Sequence, residues 1–95
     1  MLCVRIDCMR THEEVKTLRV LGQRVQDFRM KRGFTQETLA LASGLDRAYI
    51  GSVERGERNI SFLKFQRIAE ALNVGAGDLI PRRADVDALS IRVVR

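Results

Sequence analysis

Gln36-Glu-Thr-Leu-Ala-Leu-Ala-Ser-Gly-Leu-Asp-Arg-Ala-Tyr-Ile-Gly-Ser-Val-Glu54 is the stretch that decides the fold. It reads as two short helices joined by Ser43-Gly44-Leu45. Thr35 stands where the first needs an N-cap, and Asp46 where the second does. Ala40 is small at the point where the two must cross at close range. Gly44 falls where the chain has to leave a helix with positive φ, a conformation that costs a residue with a Cβ. Leu39, Leu45, Ile50 and Val53 supply apolar contacts that lock the pair at a fixed angle. With its inward side so occupied, the second of these helices is expected to present Arg47, Ala48, Gly51 and Arg55 outward. A helix held in that way can enter the major groove of a duplex, where its first turn meets base edges. An ordinary helical hairpin would explain any one of these residues. It does not explain Ala40, Gly44, Ile50 and Val53 together at these separations.

Upstream, Thr11 followed by Glu14 is a capping-box pattern. Val15, Leu18, Leu21, Val25 and Phe28 then recur at steps of three and four, a helical stripe ending before Gly33. The pattern leaves open whether this helix starts near Thr11 or nearer Leu18. Downstream, Gly56 ends the recognition helix and Ser61 caps another. In that helix Phe62, Phe65, Ile68, Ala69 and Leu72 form the expected buried stripe, closed by Asn73 and Gly75. A short fifth helix over 76–80 is stopped by Pro81. The expected fold is all-α, a compact five-helix domain over 18–80, with an N-terminal arm over 1–17 and a C-terminal tail over 81–95. Residues 2–8 and 89–94 alternate apolar and polar with a period of two. They read as short strands that pair, or as mobile arms.

The 95 residues carry a net charge of +5. Residues 1–34 hold eight basic against four acidic side chains, 35–80 five against six, and 81–95 four against two. The excess lies in the arms and first helix, so charge alone does not single out nucleic acid. No apolar run exceeds four residues, which predicts neither a signal-peptide core nor a membrane span, and a cytoplasmic protein. Cys3, Cys8 and His12 lack the second ligand pair that a tetrahedral metal site needs, so the cysteines read as two reduced thiols and no cofactor is expected. One histidine, one tyrosine and no carboxylate cluster or phosphate loop leave nothing to seat catalysis.

From 21 to 80 the chain resembles the phage-repressor-like, five-helix XRE-type regulators. The signatures are Leu21-Gly22, Arg29, Gly33-Phe34-Thr35-Gln36, Leu39-Ala40 and Glu54-Arg55-Gly56. Within that family Gly44-Leu45-Asp46-Arg47-Ala48-Tyr49-Ile50 and Glu54-Arg55-Gly56-Glu57-Arg58-Asn59 are most similar to the controller proteins of restriction–modification systems. The resemblance implies double-stranded DNA as partner and a near-palindromic operator bound by a homodimer. It also implies control of the protein's own gene and of an endonuclease gene.

It further implies roles for single residues. Gln36 contacts a phosphate at the start of its helix. Arg47 reads a guanine as a two-pronged donor. Ala48, where many controllers carry threonine, is left with at most a methyl contact to thymine. Tyr49 either reaches a phosphate through its hydroxyl or packs beside the preceding helix. Ser52 and Arg55 are expected at the DNA backbone, and Arg58 and Asn59 lie in the loop that approaches it. Glu54 reads as structural, paired with Arg29. The family dimerises through the end of the fourth helix and the fifth, where Leu72, Val74, Leu79 and Ile80 form the expected patch, unless these four complete the monomer core. Exposed Glu37 is a candidate contact to RNA polymerase, or simply a favourable partner of the helix dipole. A general XRE-type repressor and an antitoxin are the rival readings.

Overall fold

The computed structural model describes residues 11–88, and in that span the chain is helical throughout apart from turns. The helices are α1 (His12–Lys31), α2 (Gln36–Ser43), α3 (Arg47–Glu54), α4 (Phe62–Leu72), α5 (Ala76–Leu79) and α6 (Arg83–Ala88). The strand patterns at 2–8 and 89–94, with Cys3 and Cys8, lie outside the described residues.

The start of α1 is settled by its cap. Thr11 Oγ1 accepts from the Glu14 backbone and the Glu14 carboxylate accepts from the Thr11 N–H, both at 3.1 Å. The helix therefore begins well upstream of Leu18 and reaches into the region expected to be an arm. Thr35 closes a similar reciprocal box with Thr38. Ser61 accepts from the Lys64 N–H at 3.4 Å to start α4. Asp46 departs from expectation: it occupies the N-cap position of α3 with extended backbone, yet its side chain makes no capping bond.

Gly44 ends α2 in the left-handed region at φ 71°, and the Leu45 N–H reaches back to the Ala40 carbonyl at 2.9 Å. That bond turns the chain sharply enough for α3 to cross α2. Leu39, Ala40, Ile50 and Val53 then meet Leu21 and Val25 of α1, Phe65, Ile68, Ala69 and Leu72 of α4, and Leu79 of α5 in one core. Gly22 permits the closest approach. A Cβ there would stand 2.4 Å from the Val53 carbonyl oxygen and 2.5 Å from that of Glu54. Any side chain at 22 would push α1 away from α3.

Two differences concern edges of the helical stripes. Phe62, counted among the buried positions, is 70% exposed, and the α4 stripe starts at Phe65. Within the expected C-terminal tail, residues 83–88 form α6, which packs on α1, with Val86 and Val20 buried outside the main core. Arg24 ties this corner together, donating to the Asp78 carbonyl at 2.9 Å and pairing with Asp85.

Candidate nucleic-acid interface

The face built by α2, α3 and the loop to α4 rests on one buried ion pair. Arg29 Nε donates to Glu54 Oε2 at 2.6 Å and its second nitrogen donates to Oε1 at 3.1 Å. The two side chains are 11% and 3% exposed. The remaining guanidinium nitrogen donates to the Phe34 carbonyl at 2.9 Å, which fixes the turn before α2. Such a fork-to-fork pair is stiff, and it is costly to break because the surviving charge stays buried.

Gln36 is held by the same carboxylate, its Nε2 donating to Glu54 Oε1 at 3.0 Å. A carboxylate only accepts hydrogen bonds, so the amide nitrogen must face it. One N–H of that nitrogen is thereby spent and the other is left for an acceptor outside. This orients the Gln36 amide without building a new element. The Arg29–Glu54 pairing was legible in the sequence; the hold on Gln36, across 18 residues, was not.

Arg47 and Ala48 stand exposed on the leading turn of α3. Among the described residues no ion pair joins Arg47 to Asp46, so the guanidinium projects without a carboxylate on it. Arg47 and Gln36 line one open hollow of about 530 Å³ with Arg29, Gly33, Thr35 and Glu37.

Gly51 is not presented outward as expected. Its backbone is buried beneath two side chains, and a Cβ there would stand 3.2 Å from an Arg55 guanidinium nitrogen and 3.6 Å from Gln36 Oε1. The long side chains converge over the glycine and cover it.

Arg55 is exposed and paired with Glu57 at 3.0 Å, a hydrogen bond that holds the Glu57 carboxyl below its usual range and raises the Arg55 value. Ser52 is buried rather than facing a phosphate. Its hydroxyl donates to the Tyr49 carbonyl at 2.8 Å and accepts from Arg58 Nε at 3.2 Å, so it positions Arg58. Arg58 in turn lies over the Tyr49 ring, 5.1 Å from its centroid, and Lys64 of α4 lies over the same ring at 4.7 Å. Tyr49 therefore packs toward the start of α4. Burial pushes its phenol above the ordinary value of 10.0, against smaller opposite effects from the Ser61 backbone and Arg58. The hydroxyl keeps its proton at neutral pH. Asn59 is exposed in the loop.

The expected dimer patch divides. Leu72 and Leu79 are fully buried in the monomer core, Val74 is half-buried, and Ile80 is 49% exposed. Only Val74 and Ile80 have surface to offer a second copy. Leu72 and Leu79 were misplaced because helical spacing shows which residues are apolar, not how many helices already cover them.

A short helix seated on a buried clamp, with an uncommitted arginine leading and an oriented side-chain amide beside it, defines a DNA-binding protein of the helix-turn-helix class. The helix-turn-helix family model matches residues 25–79, and the chain belongs to the XRE-type helix-turn-helix transcriptional regulators. It is 42% identical over 64 residues to the control protein C.SmaI of Serratia marcescens, covering 67% of this chain and 76% of that protein. The restriction–modification controller protein C.AhdI of Aeromonas hydrophila superposes with a TM-score of 0.65 at 46% identity, covering 66% of this chain and 96% of that one. The controller protein C.Esp1396I, solved as a tetramer on its natural 35 base-pair operator, superposes with a TM-score of 0.58 at 32% identity, covering 70% and 82%. Among the described residues no helix is long and apolar enough to cross a membrane.

Proposed function

We propose that this chain is a controller protein that binds a near-palindromic operator as a homodimer and sets the expression of its own gene and of a linked endonuclease gene in the cytoplasm. The observation that carries the reading is the exposed, unpaired Arg47 on a helix whose underside is fixed by Arg29 and Glu54. Two such helices related by a two-fold axis enter successive major grooves about 34 Å apart. Gln36, Arg55, Arg58, Asn59 and the Tyr49 hydroxyl supply the surrounding backbone contacts, while Arg47 and Ala48 meet base edges. The identity to two controller proteins and the operator-bound assembly of a third support this over a repressor without a restriction partner.

The dimer contact rests on Ile80 and Val74. Ile80→Asp yields monomers in sedimentation with the fold intact, and a surviving dimer moves the interface elsewhere. Glu37 is exposed at the first turn of α2, where it favours the helix dipole, and it is the side chain we assign to a polymerase contact. Glu37→Ala lowers activated transcription while DNA binding holds; equal transcription removes the polymerase contact. Selection of bound duplexes from a random pool tests the whole reading, which predicts an inverted repeat. A selected set without internal symmetry would count against it.

A further inference from the structure

Lys64 belongs to α4, outside the helix pair, yet its ammonium lies over the ring of Tyr49 on the recognition helix. Arg58 lies over the same ring and is steadied by Ser52. Two exposed cations thus share one aromatic platform, and among the described residues neither is ion-paired to a carboxylate. The first turn of α4, where Lys64 stands, carries no acid either. Like charges brought together without a counter-charge raise the local potential, and the ring quadrupole offsets part of their repulsion. What such a pair lacks is an anion with several acceptor oxygens.

We propose that Lys64, held over Tyr49 beside Arg58, neutralises a backbone phosphodiester of its own, next to the one that Arg58 takes. The inference rests on the DNA-binding reading of α3 and adds a residue to it. Arg58 supplies a planar fork and Lys64 a point charge, so the two suit neighbouring phosphates of one strand. Because Tyr49 is only two residues after Arg47, the site ties the register of the backbone to the placement of the base-reading arginine. A phosphate contact fixes position and carries no sequence information.

The test is Lys64→Gln, an exposed substitution that leaves the core untouched, measured over a range of salt on a selected duplex and on a scrambled one. Wild-type preference for the selected duplex is read first; if it is missing, the helix-turn-helix reading fails and not this inference alone. With that preference present, the variant is expected to bind both duplexes more weakly by the same factor. Its plot of log affinity against log salt should be shallower by about 0.9 for each bound protomer. An unchanged slope, or a loss confined to the selected duplex, overturns the proposal. In a Tyr49→Leu background the Lys64→Gln loss shrinks, since the ring no longer gathers the lysine; an undiminished loss overturns the shared platform. Replacing single phosphates by neutral methylphosphonates should reveal one position that weakens wild type and spares the variant. Displacement of the duplex by inorganic phosphate at constant ionic strength would assign the pair to a free anion instead, and overturn the proposal.

Discussion

Ion pairs line α1 on two sides, toward α3 and toward α6, and they differ in kind. Toward its C-terminal end, Arg29 meets Glu54 in a buried fork with every guanidinium nitrogen given a partner. Near its N-terminus, Arg83 pairs with Glu13 at 2.6 Å while both stay more than half exposed, and past its midpoint Arg24 meets Asp85 with each about a quarter exposed. Water screens the second group and hardly reaches the first. The buried pair lies directly under the recognition face. The screened pairs fasten α6 onto the far side of the domain. Rigidity has been placed where a helix must meet a groove at a fixed angle, and a looser attachment suffices elsewhere.

Breaking the buried pair should have the largest effect. Glu54→Gln leaves the Arg29 charge buried and uncompensated, a loss of about 3–5 kcal/mol. Thermal unfolding should fall by on the order of 15 °C. A small shift would mean that solvent reaches the pair, and the contrast would collapse. Next in size is Gly22→Ala, where the new methyl meets two backbone carbonyls that cannot rotate away. Overpacking of this kind costs roughly 1–3 kcal/mol, measured by urea denaturation. Wild-type stability there would show that α1 and α3 slide apart freely.

The smallest effect belongs to Asp85→Asn. The backbone N–H of Arg82, with Arg24 and Arg82 nearby, holds the Asp85 carboxyl below its ordinary value. A depressed folded value means the contribution is present at neutral pH and is lost as pH falls through that value. The variant should therefore match wild type in acid and lie only slightly below it at neutral pH. A larger gap at neutral pH would promote the α6 clasp to a structural keystone.

Sequence reading reached the parts of this fold that are set by neighbours in the chain. Thr11 with Glu14, Thr35, Ser61 and Gly44 act through residues three to five positions away, so their meaning is local. The core positions Leu39, Ala40, Ile50 and Val53 follow from helical period and one turn. Sequence reading fell short where distant side chains converge. Gly51 is covered because Gln36, 15 residues earlier, and Arg55 fold over it. Ser52 is buried with its hydroxyl between the Tyr49 carbonyl and Arg58, six residues on, and Leu72 and Leu79 vanished into the core because α4, α5 and α1 meet there. Lys64 was invisible for the same reason: nothing in its own helix points to Tyr49. Of the candidate site, the helix and its leading arginine were legible, and the second layer that aims the contacts was not.

The central claim is that α3 is a rigid reader whose leading arginine chooses the sequence while Gln36 only grips the backbone. Competition binding on a selected duplex against scrambled DNA tests it directly, with Arg47→Ala beside Gln36→Ala. The account predicts that Arg47→Ala erodes the preference by about 1–3 kcal/mol, whereas Gln36→Ala weakens both duplexes alike. Full preference in the Arg47 variant, with affinity merely lowered, would contradict it.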